Sequence, residues 1–435
     1  MLSLTDLRGR AADPRAVLPR AAQDVSATVE AVTPILQQVH RDGVGALMQL
    51  SQKFDGVQPP SLRVPEDVMA RALEELDDAV RAALETLISR AREVHTAQLP
   101  AASKVSPGPQ AQVSNRWVAV DRVGLYVPGG QAVYPSSVVM NVIPAQVAGV
   151  RSLAIASPPQ KDFGGWPHPT ILAAARLLGV DEVYAVGGAQ AVGMFAYGAH
   201  DESGDVVVPA VSLITGPGNI FVATAKRQVQ GTVGIDAEAG PTEIMVLADD
   251  TAQANLVAAD LISQAEHDEL AAAVLVTDSM DLAERVISEV STQGSATHHV
   301  ERVRNSLSGA QSTVLVVDTM EKALEIANAY GAEHLEIMTA DDAVMAERIT
   351  NAGAVFIGPY SPVSLGDYCA GSNHVLPTGG ASAYSSGLNV TSFMRSQQVI
   401  RYSRAALGEV AGHVQALAAA EGLPAHGDAV SARFA

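Results

Sequence analysis

Short β-type runs alternate with helical stretches over most of this chain, and the alternation comes in two sets. Segments 117–120, 123–127, 152–156, 182–186 and 211–214 read as strands, with helices over 168–178, 190–199 and 221–230. After Gly240 the pattern resumes. Strands fall at 244–247, 273–276, 313–317, 335–338 and 354–357, and helices at 252–267, 282–290, 321–330 and 343–351. Strands separated by helices need crossover connections, and crossovers give parallel sheets with helices on their faces. The expected class is α/β, with two domains on mostly parallel sheets. Ahead of the first set, 25–98 has helical period, with Val32, Ile35, Leu36 and Val39 on one face. Residues 1–20 read as a short N-terminal arm, 101–114 as a loop, and the chain after Arg395 as helical again.

The chain has 435 residues, enough for more than one core, and its 48% hydrophobic content can fill them. Aromatics are only 4%, so that interior is built from Ala, Val, Leu and Ile. A net charge of −19 argues against nucleic acid or an anionic membrane as the main partner, since both need basic patches. Cys369 is the only cysteine, which rules out an intrachain disulfide and fits a reducing compartment. The N-terminal residues carry early acid and base with no apolar h-region. No run approaches the roughly 20 apolar residues of a membrane span. A soluble, cytoplasmic protein is expected.

Three glycine turns follow strand ends: Pro128-Gly129-Gly130, Gly187-Gly188-Ala189-Gln190 and Gly216-Pro217-Gly218-Asn219. The last two each open a helix, where backbone N–H groups can cradle a phosphate. None matches the G-x-G-x-x-G fingerprint, so ordinary strand-to-helix turns are the plainer reading. Tyr126, Gln190 and Asn219 beside them could hold ribose or nicotinamide, but spacing does not decide it.

The second half sets polar residues singly into apolar, Gly-rich segments, as a pocket assembled by the fold requires. Gln264 and His267 lie three apart at a helix end and share one face. Glutamine is a weak ligand, so an imidazole and a carboxylate must join it. His267, Asp367 and His426 supply a mixed N/O set suited to Zn²⁺, or to Mn²⁺ or Co²⁺. Taken singly, each is more often a helix cap or a satisfied buried polar group. Glu333 and His334 stand where a helix gives way to a strand. A His beside a carboxylate suits a general base, because its pKa starts near ~6.5 and shifts easily. A plain hydrogen-bonded pair is the alternative. Cys369 could form a thiohemiacetal with an aldehyde. No His or Lys flanks it, which favours a small buried thiol instead.

VGLYVPGG (123–130), GGAQAVG (187–193), GPGN (216–219), AGPTE (239–243), SQAEHD (263–268), AEHLEI (332–337), GDYCAGSNHVLPTGG (366–380) and the closing E-x-x-x-x-H (421–426) together resemble the histidinol dehydrogenase family. The resemblance implies two incomplete Rossmann-like domains with parallel-type sheets, a short N-terminal arm and a helical C-terminal tail. The first domain would take 21–125 and 244–388, with the metal and catalytic residues. The second, 126–243, would contact NAD, and 389–435 would reach the partner's site. The activity implied is oxidation of L-histidinol to L-histidine through L-histidinaldehyde, reducing two NAD⁺, the last step of histidine biosynthesis. One Zn²⁺ per subunit would be held by Gln264, His267, Asp367 and His426, the last crossing from the partner in a homodimer with shared sites. His334 would be the base and Glu333 would activate water. Thr242, His374 and Glu421 would contact substrate, as would His334 and the metal ligands. Tyr126, Gln190 and Asn219 would contact NAD.

Two departures stand out: Thr242 where serine is expected, and Ala332 where proline is expected. Two other classes use the same residues. A metal-dependent hydrolase of an amide or cyclic substrate would use the same metal site, with Glu333 as base. It would leave Tyr126, Gln190 and Asn219 without a role. A two-lobed binding protein for an imidazole compound would not need Glu333 or His334 at all.

Overall fold

The structure, a computed structural model, describes every residue except 1, 12, 19, 22–24, 130–132 and 239, and not the side chains of 25–27. Gly130 and Ala239, which belong to two of the motifs above, lie outside the described residues. Strand β1 (Ser3–Asp6) precedes helices α1 (Val25–Phe54), α2 (Glu66–Glu74) and α3 (Asp78–Ala97). Strands β2 (Ser103–Val105) and β3 (Ala111–Ala119) lead to β4 (Arg122–Tyr126), α4 (Pro135–Ala148), β5 (Ser152–Ser157), α5 (Pro169–Leu177), β6 (Val183–Ala185) and α6 (Gly188–Tyr197). A small hairpin of β7 (Ala199–His200) and β8 (Val206–Val208) comes before β9 (Leu213–Thr215), α7 (Ile220–Val229) and β10 (Gly234–Ile235). Five of these strands form one parallel sheet, in the order β10-β9-β4-β5-β6.

The second set runs β11 (Glu243–Ala248), α8 (Ala254–Ala265), β12 (Ala272–Thr277), α9 (Met280–Gly294), α10 (Val300–Ser308), β13 (Thr313–Val316), α11 (Met320–Tyr330), β14 (His334–Met338), α12 (Asp342–Ala346), β15 (Ala354–Ile357) and α13 (Val363–Tyr368). With β1 these strands make a six-stranded parallel sheet, ordered β1-β13-β12-β11-β14-β15. Both faces are covered, as in parallel sheets generally. Val246 packs with Val257 and Leu261 on one side, and Met245 and Leu247 with Ile326 and Ala327 on the other. The chain closes with β16 (Met394–Tyr402), α14 (Arg404–Ala420) and α15 (Pro424–Ser431). The expected α/β class with two parallel sheets is the observed one.

Several segments depart from local expectation. Residues 396–402, expected to be helical, and 111–114, expected to be a loop, belong instead to β16 and β3, because each strand is the other's antiparallel partner. β16 is largely exposed and β3 mostly half-buried along its whole length, so neither carries an alternation of buried and exposed positions to reveal it. The N-terminal arm adds β1 to the six-stranded sheet, beside β13. Helices α1 and α3, grouped by the resemblance with 244–388, pack on the five-stranded sheet's layer instead. Leu36 and Leu47 join Phe195 and Ile214, and Leu84 and Leu87 join Val138 and Ile143. Order along the chain cannot say which sheet an apolar helix stripe will cover.

Helix α4 was not expected at all. It is buried all round, which erases the helical period, and it carries β-branched Val138, Val139, Val142 and Ile143. It also contains Pro144, which has no N–H to give to the Met140 carbonyl one turn back. Asn373 supplies the missing donor, its Nδ2 lying 2.6 Å from that oxygen.

In β4, a Cβ added at Gly124 would lie 2.5 Å from the fully buried Phe195 ring. Gly124→Ala should therefore cost about 1–3 kcal/mol, read as a lower thermal midpoint.

Candidate active site

The link from β10 to β11 is short, 236–242, so the carboxyl edge of the five-stranded sheet adjoins the amino edge of the six-stranded one. Open parallel sheets usually bind ligands at their carboxyl edges. Here the six-stranded sheet contributes its amino edge. Its register pairs Ile244 with His334, setting Thr242 and Glu243 beside Glu333 and His334 where β11 and β14 begin. The last turn of α8 brings Gln264, with His267 just beyond, and α13 brings Asp367. The Gly-rich segment after α13 then crosses to α4, bonding through Asn373 and His374.

One carboxyl oxygen organises the centre. Glu333 Oε2 accepts from Thr242 Oγ1 at 2.6 Å and from the Glu243 amide at 3.0 Å. The Thr242 hydroxyl accepts in turn from the Gln264 side-chain amide. Threonine thus does through its hydroxyl what the expected serine would do. Burial pushes Glu333 up to about 8.

His334 Nδ1 lies 3.1 Å from the Glu243 carbonyl. A carbonyl only accepts, so Nδ1 carries the proton and Nε2 keeps its lone pair. Nε2 is buried with no hydrogen-bond partner among the described residues, and Asp367 Oδ1 is 3.9 Å away. Burial lowers the His334 pKa and outweighs the Asp367 carboxyl beside it, so the ring is neutral at pH 7. Ala332 does not loosen this backbone: its carbonyl accepts from Gly353, and that of Glu333 from Ala354, both at 2.9 Å.

His374 Nδ1 donates to the Asp367 carbonyl at 3.1 Å, and its Nε2 accepts from Ser137 Oγ at 3.0 Å. Burial holds that ring neutral, down to about 4. His267 stacks on Tyr134, with ring centroids 5.8 Å apart, and is close enough to feel His334 electrostatically. The Glu243 carboxyl pairs with Arg20, whose guanidinium also lies 3.9 Å over the Tyr330 ring. Sequence reasoning missed Arg20, Tyr134, Ser137 and Glu243. Only Glu243 had a local signal, as the last residue of AGPTE.

Gln264, His267 and Asp367 fit a zinc-type cation in chemistry: an amide oxygen, an imidazole held neutral by burial, and a carboxylate about one third exposed. Gln264 gives its amide nitrogen to Thr242, leaving its oxygen for a ligand. One chain does not complete the set. Among the described residues no three His, Cys, Asp or Glu side chains stand at metal-binding separation. Glu421 and His426 are exposed on the C-terminal helices, and no hydrogen bond or ion pair among the described residues joins them to the cluster.

A family model described as histidinol dehydrogenase matches residues 18–434. The chain belongs to the histidinol dehydrogenase family. It is 61% identical over 434 residues to the histidinol dehydrogenase of Thermobifida fusca, and 59% over 436 residues to that of Nocardia farcinica; each match covers 100% of this chain and 98% of the relative. A crystal structure of histidinol dehydrogenase from Elizabethkingia anophelis superposes with a TM-score of 0.93 at 29% identity, covering 100% of this chain and 98% of that one. Family membership makes the chain an oxidoreductase and sets aside the hydrolase and the binding-protein readings. Among the described residues no helix is long and apolar enough to cross a membrane.

In this member of the histidinol dehydrogenase family the three expected nucleotide residues meet at the carboxyl edge of the five-stranded sheet. The Tyr126 hydroxyl, ending β4, accepts from the Gly188 amide at 3.1 Å. Buried Gln190 follows in the first turn of α6. Asn219 caps α7, its Oδ1 accepting from Phe221 and Val222 at 3.1 and 3.2 Å. Gly216 has φ +115°, and a Cβ there would strike the Tyr126 carbonyl. A buried ion pair, Lys226 with Asp236, clamps this turn: Lys226 donates to the Gly216 carbonyl and Asp236 accepts from the Gly216 amide. Asp236 begins the link to Thr242, so a short stretch of chain joins the Gly216 turn to the Glu333 cluster. Cys369, expected to be buried, is half-exposed just past α13.

Proposed function

We propose that the chain oxidises L-histidinol to L-histidine through L-histidinaldehyde in two NAD-dependent steps, the last step of histidine biosynthesis. The observation that carries this reading is the fixed tautomer of His334, whose buried, unpartnered Nε2 has the lone pair a hydroxyl proton needs. In the first oxidation His334 Nε2 takes the alcohol proton as hydride leaves the carbon. Glu333 then takes a proton from the water that adds to the aldehyde while His334 returns its proton to the carbonyl oxygen, and the freed Nε2 takes the hydroxyl proton of the resulting hydrate in the second oxidation. Thr242 and His374 border this space and are the substrate contacts, with Glu421 from the partner.

Gln264, His267 and Asp367 would hold Zn²⁺ with His426 of the partner subunit, and Tyr126, Gln190 and Asn219 would contact NAD. When bound, the ion supplies a charge that anchors the substrate's nitrogens, and NAD supplies the hydride acceptor. The position of Glu421 and His426 on an arm that also exposes Ile400, Leu417 and Leu423 supports a homodimer. A second copy would cover that arm and place both residues at its own site, an isologous arrangement. The single cysteine and the biosynthetic reaction favour the cytoplasm.

The direct test is NADH formed per L-histidinol consumed. Two NADH are expected, with the rate falling at least tenfold under a strong chelator and returning with Zn²⁺. One NADH with released aldehyde would leave only the first oxidation. None from any metal form would reject the reading.

A further inference from the structure

The layer between the six-stranded sheet and α8 holds Val246, Leu261, Met338 and Val363, and a pair of carboxyls stands against it. Glu336 sits in β14 on the same face as His334 and Met338, and it is fully buried. Its Oε1 accepts from the amide of Val363, the first residue of α13, at 3.2 Å. Its Oε2 is buried, and no N–H or O–H of the described residues reaches it. The group in hydrogen-bond contact with Glu336 is the carboxyl of Asp260, from α8. Asp260 on α8 and the Val363 amide on α13 are the only polar groups found to act on Glu336 among the described residues. Two carboxyls can meet in an apolar layer only with a proton between them, since an ionised carboxylate has no hydrogen to give.

The place of this pair gives it a role. Asp260, Gln264 and His267 follow one another at i, i+4 and i+7, along one stripe of α8 and its end. Asp367 lies one turn beyond Val363 in α13. Glu336 itself lies on the strand that begins with His334. One side chain therefore joins the three elements that carry the base and the metal-type ligands.

We propose that Glu336 and Asp260 share one proton and act as positioning residues, holding α8 and α13 on β14 so that Gln264 and His267 keep their distance from Asp367. The consequence for the metal rests on the function proposed above; the shared proton does not. Burial first, then the facing Asp260 carboxyl, push Glu336 far above the ordinary carboxyl range, so the proton stays at neutral pH. A carboxyl raised in this way contributes stability that is complete below its unfolded value and lost as pH rises through the folded one.

The test follows thermal unfolding of the metal-free protein from about pH 5 to about pH 10. Glu336→Gln keeps an acceptor for Val363 and a donor for Asp260 but has no proton to lose. The fall in melting temperature with rising pH should be shallower in E336Q than in the unsubstituted protein. An identical slope would overturn the shared proton. In zinc competition against a chromogenic chelator, E336Q should stay within about threefold of the unsubstituted protein, whereas Glu336→Ala should bind roughly tenfold more weakly. E336Q as weak as E336A would overturn the positioning role. If E336A fails to fold, the E336Q slope still decides. Absence of zinc binding by the unsubstituted protein would reject the proposed function and the positioning role with it, while the slope would still judge the pair.

Discussion

Replacing His334 by Asn should slow NADH formation from L-histidinol by roughly 10²–10⁴-fold, with substrate affinity within about threefold. The basis is the unequal use of the two ring nitrogens. Nδ1 is spent on the Glu243 carbonyl, which fixes the ring and its tautomer. Nε2 is spent on nothing, and a buried acceptor without a donor costs roughly 1–3 kcal/mol to keep. On the function proposed above, that acceptor is where the substrate's hydroxyl proton is delivered. Burial also lowers the ring's pKa, so the free base persists below the ordinary imidazole value near ~6.5, and the first oxidation should keep its rate into mildly acidic solution. Single-turnover absorbance of NADH gives the chemical step, and calorimetry gives binding. Equal losses in both would mean that His334 grips the substrate rather than taking its proton.

The parts of this molecule that were legible in its sequence are those whose signal is local. Apolar runs such as 244–247 and 273–276 sit in the parallel sheet because strands buried on both faces carry no polar positions. Gln264 and His267 could be paired from spacing alone. Glu333 and His334 could be set side by side at the start of a strand, but not which ring nitrogen was free. That depends on a carbonyl 91 residues away in the chain, brought alongside by the β11–β14 register. The helix α4 was hidden for a related reason. Pro144 argues against a helix, and the bond that compensates comes from Asn373, in a segment whose glycines read as a loop. Ser137, on that helix, was lost with it. The pairing of β3 with β16 joins two segments whose burial does not alternate along the strand. Glu421 and His426 show the opposite limit: their resemblance to a motif is plain, yet a single chain leaves them in solvent.

Replacing Glu333 by Gln should separate the two oxidations. The amide oxygen can accept from Thr242 and from the Glu243 amide as Oε2 does, so the local geometry survives. No donor among the described residues reaches Oε1, the atom left for water, and an amide there cannot take a proton. The first oxidation should stay within about threefold, while the second should fall by roughly 10²–10⁴-fold, giving one NADH per L-histidinol and an aldehyde that a hydrazine reagent can trap. The unsubstituted protein carries the matching pH signature. Burial pushes Glu333 up to about 8, so the carboxylate that serves as base forms only as pH rises through that value. The second step should rise through about pH 8 and level off above it, and E333Q should lack the rise. Stability should move the other way. A carboxyl with a raised folded pKa stabilises the fold below its unfolded value and loses that contribution as pH climbs through about 8. The ionisation that arms the base thus weakens the fold, and in alkaline solution E333Q should melt above the unsubstituted protein while failing to complete the reaction. A variant that still yields two NADH would assign both proton transfers to His334 and leave Glu333 only the task of holding Thr242.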